Sequence, residues 1–307
     1  MRVLTRSDFD GLGCCVFLKE AGILDEIKFV HPKDVQDGLV KAGPNDCLAN
    51  IPYIKGCGLW FDHHSSEAER NEYGHFEGAS DPDAPSAAHV IYHYYGGEEK
   101  FPGRNFKELL DAVNKSDTAS FAAGEIKNPS GWTLLSFIMD PRTGLGRYKD
   151  YRISNYRLML DMIDYCRTMS VDEILAAPDV QERVTRYFEQ DKLFRGMLEQ
   201  NSTTHGNVIV LDLREQEEIY TGNRFLLYSL FPDQNISMQV MWGLNKQNTV
   251  ITCGRSIINR TSHVDIGSLM LQHGGGGHKR VGTCQVPNDR ADEIVKEMIA
   301  QINASDS

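Results

Sequence analysis

The sequence predicts an α/β protein in which a mostly parallel sheet flanked by helices is joined by a helix to a smaller mixed α/β domain. Two observations support this prediction. Strand-like and helix-like segments alternate over the first 65 residues, which is typical of a parallel sheet with helices on its faces. Strand patterning returns after Gly206, following a long helical stretch. A chain of 307 residues is long enough for two domains of ordinary size.

The N-terminal segments occur in the order expected for such a sheet. We predict strands at 3–6, 26–31, 47–51 and 58–61, and helices at 11–21 and 33–41. Residues 86–202 are predicted to be helical almost throughout, because apolar residues recur at three- and four-residue spacing. After that stretch, "GNVIVLDL", "ISMQVMWG" and "TVITCGRS" predict strands, and residues 289–302 predict a closing helix.

These patterns predict where the domains begin and end. We expect one domain at 1–190, including the helical part at 86–190. A connecting helix or linker follows at 191–205, and the second domain covers 206–304.

Composition narrows the class of protein. Apolar residues make up 41% and charged residues 24%, the values of an ordinary globular protein. No apolar run approaches the ~18 residues of a membrane span, and seven scattered cysteines do not suggest a disulfide framework, so we expect a cytoplasmic protein.

Net charge points to a small ligand. A net charge of −11 disfavours tracking along a nucleic-acid polymer by charge alone. Residues 249–287, however, carry four cationic side chains and one acidic side chain, which suits a small phosphorylated substrate.

The segment "TRSDFDGLGCC" places Asp8 and Asp10 at the end of the first predicted strand. Two carboxylates this close repel each other unless a positive charge lies between them, which indicates a cation. A calcium loop is excluded, since its first and twelfth ligand positions would be Arg6 and Phe17. Two alternatives stay open. One is an acidic helix start stabilised by the helix dipole. The other is the nucleophile motif of haloacid-dehalogenase-type phosphatases, which "DFDG" resembles except at Leu12.

A second polar cluster follows a later predicted strand. "WFDHH" supplies a carboxylate and two imidazoles, which suit manganese, iron, zinc or magnesium. Asp117, in "NKSDTASF", adds a carboxylate inside a helical pattern. Asn50 and Asp62, like the aspartates of the first cluster, lie at the carboxyl ends of predicted strands. Ligands bind beyond the carboxyl ends of parallel strands, so the sequence predicts a metal site at this edge of the sheet.

A third feature is the glycine run in "QHGGGGHKRVG". Four consecutive glycines are costly in conformational entropy, and they favour a place where backbone N–H groups approach an anion closely. His278, Lys279 and Arg280 follow and add donors for phosphate. A flexible linker is the alternative, although strand-like "RVGTCQVP" begins at once.

Taken in order, Asp-x-Asp-Gly, Asp-His-His, a later Asp and Gly-Gly-Gly-Gly-His resemble the motifs of the DHH–DHHA1 phosphoesterase superfamily. The resemblance covers nearly the whole chain. The segment "RYKDYRISNYRLM" looks most similar to the bacterial exopolyphosphatase-related and nanoRNase/pAp phosphatase-like branch. The family implies a DHH domain that binds one or two Mn²⁺ or Mg²⁺ ions and a DHHA1 domain that closes over the cleft. It also implies hydrolysis of a short oligonucleotide, a nucleotide phosphate or an oligophosphate by a metal-activated water.

The resemblance implies roles for individual residues. Asp10, His63 and Asp117 would hold one metal, and Asp8 with Asn50 would hold the other. The catalytic group would be Asp62, His63 and His64, with His64 facing the phosphate. The substrate-binding residues would be His64 and, in the second domain, Arg255, Gly274, Gly275, Gly276, Gly277, His278 and Arg280. The expected partner is the small phosphorylated substrate; no membrane is expected, and a homodimer is left open.

The chain departs from the family pattern in two features. Family members often carry a His two or four residues before the first Asp, where this chain has Arg6 and Leu4. Many have an Asp that bridges both metals where this chain has Asn50, and a neutral amide is a poor bridge. We therefore expect one metal to bind firmly and the other weakly. The same departures leave open a second function, a non-hydrolytic binder or sensor of a nucleotide or phosphate ligand.

Overall fold

The computed structural model describes residues 1–64 and 76–306. The chain divides into two compact units. Unit 1 comprises Met1–Ser120 and Pro129–Arg186, and unit 2 comprises Phe121–Asn128 and Tyr187–Ser307. These units place residues 121–128 with the C-terminal part of the chain, which the predicted division into 1–190, 191–205 and 206–304 does not do. The predicted domain boundaries stay a prediction.

Two sheets carry the strands of the described residues. The strands of unit 1 are β1 (Arg2–Thr5), β2 (Glu26–Phe29), β3 (Asp46–Ala49), β4 (Leu59–Asp62) and β5 (Gly78–Ser80). The strands of unit 2 are β6 (Ser202–His205), β7 (Val208–Asp212), β8 (Ile236–Trp242), β9 (Thr249–Arg255), β10 (Gly276–His278) and β11 (Val281–Val286).

Twelve helices are found in the described part of the chain. They are α1 (Phe9–Glu20), α2 (Pro32–Gln36), α3 (Ala87–Tyr94), α4 (Arg104–Asp117), α5 (Ala123–Lys127), α6 (Gly131–Met139), α7 (Asn155–Thr168), α8 (Val171–Ala176), α9 (Pro178–Gln200), α10 (Leu226–Leu230), α11 (Ile266–Leu271) and α12 (Ala291–Ser305).

The sheet of unit 1 is parallel, with the strand order β2-β1-β3-β4-β5. From β1 the chain passes to β2 on one side, and it then crosses to β3 on the other side of β1. The carboxyl ends of β1 and β3 therefore form the point where the strand order reverses, which is where ligands bind in open sheets of this kind. Asp8 follows β1 and Asn50 follows β3, so both lie at this point.

Helix α1 lies in the core of unit 1, with every residue from Phe9 to Leu18 buried. Gly13 allows it to approach two neighbouring helices, because an added Cβ would lie 3.0 Å from both the Cβ of Ala88 and a methyl group of Val113. Phe17 also packs edge-on against the rings of Tyr92 and Phe101. Small and aromatic residues thus bring α1, α3 and α4 together.

Gly11 is required by the turn between β1 and α1. A Cβ at this position would lie 2.0 Å from the backbone oxygen of Arg6, closer than nonbonded atoms approach. The glycine therefore lets α1 begin directly against the end of the strand, and this fixes the positions of Asp8 and Asp10.

Unit 2 is a mixed α/β structure. Its sheet has the strand order β10-β11-β9-β8-β7-β6, in which β7 and β8 are parallel and the other neighbouring pairs are antiparallel. The buried face of the sheet packs with apolar residues of α11 and α12, among them Leu269, Met270, Ile294 and Met298. The fold class that the sequence predicted, a parallel sheet flanked by helices with a smaller mixed unit, is confirmed.

The glycine run forms part of a hairpin in unit 2 and is not a flexible linker. Gly276, Gly277 and His278 form β10, which pairs with β11. A Cβ at Gly275 would lie 2.1 Å from the oxygen of Thr283, and one at Gly277 would lie 2.3 Å from the oxygen of Val281. Two of the four glycines thus allow close packing against β11, a cause that composition alone does not reveal.

A search of the described helices finds none that combines the length and the apolar character needed to cross a membrane.

The first prediction concerns the turn at Gly11. We expect Gly11→Ala to lower the free energy of unfolding by about 1–3 kcal/mol, because the added methyl group displaces the backbone at Arg6. Urea denaturation of the metal-free chain measures this change. Gly196→Ala is the matched control: an added Cβ there meets no atom within 4 Å in α9, so the control should stabilise by about 0.5–1 kcal/mol. Equal stability of Gly11→Ala and wild type would contradict this account of the turn.

Candidate metal centre

Asp8 caps the N-terminus of α1 and accepts hydrogen bonds from the chain itself. Its Oδ1 accepts from the backbone N–H of Gly11 at 2.9 Å and from Nδ2 of Asn50 at 3.1 Å. Its Oδ2 forms an ion pair with Nε of Arg6 at 3.0 Å. Asp8 is therefore stabilised by three donors of the protein, one of them a full positive charge.

Asn50 is held in position by the backbone at the end of β3. It is buried, its φ is +57°, and its N–H donates to the oxygen of Phe61 at 3.0 Å. Asparagine adopts this left-handed conformation more readily than most residues. The structure thus brings Asp8 and Asn50 into contact, but with the amide nitrogen, not the amide oxygen, facing the carboxylate.

Asp10 is buried in the first turn of α1 and points at the start of α3. Its two carboxylate oxygens accept the backbone N–H groups of Ala87 and Ala88, each at 2.9 Å. Burial raises the pKa of Asp10 well above its usual range, and the charges of Asp117 and Asp8 raise it further, while the two N–H groups oppose this shift. A buried carboxylate in this position is a strong site for a cation.

His63 and Asp117 complete a group with Asp10. Nε2 of His63 lies 3.2 Å from Oδ2 of Asp117 and 3.7 Å from Oδ2 of Asp10. One ligand atom from each of the three residues lies within 4.8 Å of the others, and this is the one such group among the described residues. Ligands at ~2.1 Å around an octahedral ion are about 3 Å apart, so a small inward movement closes the group around one cation.

The tautomer of His63 suits metal binding. Nδ1 lies 3.2 Å from the oxygen of Ala84, and a carbonyl oxygen only accepts, so Nδ1 carries the proton. Nε2, the other ring nitrogen, faces the two carboxylates and is the atom that would bind a metal. Nε2 is buried and makes no hydrogen bond with any described residue. One neutral imidazole and two carboxylates fit a divalent cation such as Mn²⁺.

Asp62 and His64 form a separate pair beside this group. Asp62 is fully buried, and its Oδ1 lies 2.8 Å from Nδ1 of His64. Burial lowers the pKa of His64, but the hydrogen bond and the charge of Asp62 outweigh it, so the pKa of His64 is raised. Asp62 thus orients the ring of His64 and favours its protonated form.

Sequence reasoning missed the residues that hold this centre together. The Oγ of Ser86, the N-cap of α3, accepts the N–H of His89 at 3.0 Å and donates to Oδ1 of Asn114 at 2.7 Å. Nδ2 of Asn114 lies 3.2 Å from Nδ1 of His89. Ser86 therefore ties the start of α3, which binds Asp10, to α4, which ends at Asp117. A serine before an apolar helical pattern is an N-cap signal that could have located this start.

Apart from His64, the predicted substrate-binding residues lie in unit 2, and the structure brings them to one end of its sheet. The N–H of Arg255 donates to the oxygen of Arg280 at 2.8 Å, and Nε of Arg255 donates to the oxygen of Val264 at 2.8 Å. The remaining predicted residues belong to the adjoining hairpin, namely Gly274, Gly275, Gly276, Gly277 and His278. Their role in binding stays a prediction.

Comparisons with known proteins extend the description. No family model matches the sequence, and no curated protein matches it. A pGpG-specific phosphodiesterase, PggH from Vibrio cholerae, is 47% identical over 99% of each chain, with a TM-score of 0.88.

Two more distant structures share the fold. A DHH domain described as a member of the s1p family of ribosomal proteins is 12% identical and covers 100% of this chain and 87% of its own, with a TM-score of 0.60. RecJ from Thermus thermophilus, determined in complex with Mn²⁺, is 14% identical and covers 99% of this chain and 52% of its own, with a TM-score of 0.51.

The second prediction concerns Asn50. We expect wild type to bind one Mn²⁺ firmly, because Asp8 is already neutralised by Arg6 and faces the amide nitrogen of Asn50. Asn50→Asp adds a negative charge beside Asp8 and should raise the affinity for a second ion by about tenfold or more. Calorimetric titration of the metal-free chain measures both sites. Asn45→Asp, an exposed position before β3, makes the same charge change and should leave the titration as in wild type. Two firmly bound ions in wild type without substrate would refute this account.

The third prediction concerns Asp117. Burial and the charge of Asp8 raise its pKa, while His63, His64 and Arg6 oppose the shift. A carboxyl group with a raised pKa in the folded state destabilises the metal-free protein once pH exceeds its unfolded pKa. At pH 7 we therefore expect Asp117→Asn to raise the melting temperature of the metal-free chain and to abolish its increase on adding Mn²⁺. Asp111→Asn, on the same helix, is the control and should keep the increase.

Thermal melts with and without Mn²⁺ decide this prediction. A variant at residue 117 that retains the metal-dependent increase would exclude Asp117 as a ligand.

Proposed function

Because the chain belongs to the DHH–DHHA1 phosphoesterase superfamily and is a metal-dependent hydrolase of small phosphorylated substrates, we propose that it hydrolyses the linear dinucleotide pGpG to two GMP. The observation that carries this proposal is 47% identity over 99% of each chain to a pGpG-specific phosphodiesterase. The group formed by Asp10, His63 and Asp117 supports it, since phosphodiester hydrolysis by such enzymes needs a cation at the phosphate.

Residues of unit 1 would bind the cation and hold its ligands in place. Asp10, His63 and Asp117 would hold the cation, which when bound polarises the phosphoryl group and lowers the pKa of water. The N–H groups of Ala87 and Ala88 favour the ionised form of Asp10 and hold its carboxylate in place for this role. The oxygen of Ala84 keeps the lone pair of His63 directed at the same point.

His64 is suited to act on the substrate phosphate. Its raised pKa favours the protonated form, and Asp62 orients its ring, so His64 is suited to donate a proton or a hydrogen bond. In the cleavage of pGpG, water attacks the bridging phosphorus, the bond to the 3′ oxygen breaks, and that oxygen takes up a proton. We assign to His64 either this proton transfer or a hydrogen bond to the phosphate.

The finer features remain part of the proposal. Mn²⁺ is the proposed ion, with Mg²⁺ as the alternative, and a second ion would bind with the help of phosphate oxygens. Short oligonucleotides other than pGpG, nucleotide phosphates and oligophosphate are the competing substrates. A non-hydrolytic binder is not favoured, because the metal group is intact. The cytoplasmic location, the homodimer and the closure of unit 2 over the substrate stay predictions.

The fourth prediction tests the function. Purified full-length chain with Mn²⁺ should convert pGpG to GMP, and oligophosphate should release phosphate at least about 100-fold more slowly. Asp10→Ala should lose activity by about 10³-fold or more, because it removes a metal ligand. Chromatographic quantification of GMP measures the rate. No GMP formation by wild type under any metal would refute the proposed function.

The fifth prediction concerns His278 in unit 2. A hydrogen bond to a charged phosphate contributes about 1.5–3 kcal/mol, so His278→Ala should weaken pGpG binding by about ten- to a hundredfold. Metal binding should be unchanged, because no described metal ligand lies in unit 2. His273→Ala, before the glycine run, is the control. Unchanged pGpG affinity in His278→Ala would remove this residue from substrate binding.

A further inference from the structure

Unit 1 contains a cavity that the proposed reaction does not use. It has a volume of about 200 Å³, and Ser7 forms part of its wall. Ser7 directly precedes Asp8, so the cavity begins next to the metal centre. Its exposed lining residues include Ser7, Pro141 and Gly146, and these mark its opening to solvent.

The inner wall of the cavity is apolar. Met139, Leu145 and Met159 line it, and all three are buried. An apolar cavity of about 150 Å³ accommodates benzene, so this one suits a somewhat larger flat ring system. Methionine thioethers make favourable contacts with aromatic rings. Size and lining therefore fit a nucleobase better than a sugar or a phosphate.

A buried arginine shapes the polar part of the wall. Arg183 is 1% exposed, and its Nη2 donates to the oxygen of Ile153 at 2.6 Å and to Oδ1 of Asn155 at 2.9 Å. Its guanidinium also lies 3.8 Å from the centre of the Tyr151 ring. Because Oδ1 of Asn155 is bound to Arg183, the amide is oriented and its Nδ2 serves as the donor. Asn155 lines the cavity, so this donor is available to an acceptor such as N7 or O6 of a purine.

Arg142 lies beside the cavity and near the metal centre. Its N–H and Nε bind Oδ1 of Asp140, a lining residue, at 2.9 and 2.8 Å, and its side chain is 58% exposed. Burial opposes its charge, but Asp140 and, less strongly, Asp8 and Asp117 raise the pKa of Arg142. The guanidinium is held beside the cavity wall by Asp140 and is largely exposed, so it is available to the phosphate of a nucleotide whose base enters the cavity.

We propose that the cavity and Arg142 form a nucleotide subsite, in which the cavity takes a purine base and Arg142 binds the phosphate of the same nucleotide. The subsite rests on the proposed function, because it would hold one nucleotide of the dinucleotide whose bridging phosphate lies at the metal. It adds a base-binding role for residues 138–159 and 183 of unit 1, which the sequence motifs do not mark.

The test measures binding of products, not catalysis. With the full-length chain and Mn²⁺, calorimetry compares GMP with ribose 5-phosphate, which carries the phosphate but no base. We expect GMP to bind about tenfold or more tightly than ribose 5-phosphate. Equal affinities in wild type would overturn the proposal without any variant.

Gly146→Leu places a side chain at the mouth of the cavity, where an added Cβ already lies 3.4 Å from Nδ2 of Asn155. We expect this variant to bind GMP only as tightly as ribose 5-phosphate. The affinity for ribose 5-phosphate itself should not change. Gly43→Leu, where an added Cβ meets no atom within 4 Å, is the control at the opposite edge of the sheet. An equal loss for both ligands in Gly146→Leu would overturn the base-binding role.

Arg142→Gln should lower the affinities for GMP and for ribose 5-phosphate by a similar factor of about ten to a hundred. Arg104→Gln, an exposed arginine at the start of α4, should weaken neither. Unchanged affinities in Arg142→Gln would remove Arg142 from the subsite. A wild type that binds GMP selectively but does not cleave pGpG would refute the proposed function and retain the subsite. A wild type that cleaves pGpG but binds GMP no more tightly than ribose 5-phosphate would retain the proposed function and refute the subsite.

Discussion

The hydrogen bonds from the N–H groups of Ala87 and Ala88 to the carboxylate of Asp10 hold the centre of unit 1 together. Burying an ionised carboxylate costs several kcal/mol unless donors and a cation compensate it. The two donors are available only because α3 begins next to α1, and that approach needs the small residues Gly13 and Ala88. The same packing brings His63 and Asp117 to Asp10. The metal centre therefore depends on how closely two helices pack.

The two aspartates of the first motif have different environments in spite of their proximity. Asp10 accepts hydrogen bonds from the backbone N–H groups of Ala87 and Ala88 and a long one from the thiol of Cys14. Burial raises the pKa of Asp10, so a cation is the natural partner for its charge. Asp8 accepts hydrogen bonds from Gly11 and Asn50 and forms an ion pair with Arg6. Neutralisation by the protein itself competes with neutralisation by a metal. This competition gives a physical reason for unequal metal sites that does not depend on any comparison.

Unit 1 also holds more of the chemistry than the motifs suggest. The cavity next to Ser7 is bounded by the segment between α6 and α7 and by Arg183 of α9. In unit 2, Gly275 and Gly277 serve the packing of the hairpin as well as any contact with an anion. The hairpin geometry thus gives the glycine run a structural cause, and its contact with an anion stays a prediction.

The sequence by itself determined the parallel sheet, through the alternation of strands and helices, and it determined which side chains meet at its edge. Polar residues after β1, β3 and β4 converge because parallel strands end at the same side. Tertiary structure alone decided that Ala87 and Ala88, 77 and 78 residues after Asp10, would be its donors. It also decided the amide orientation of Asn50 and the cavity beside Arg183. Such contacts depend on how far apart helices pack and how side chains rotate, and local patterns in a sequence carry no record of either.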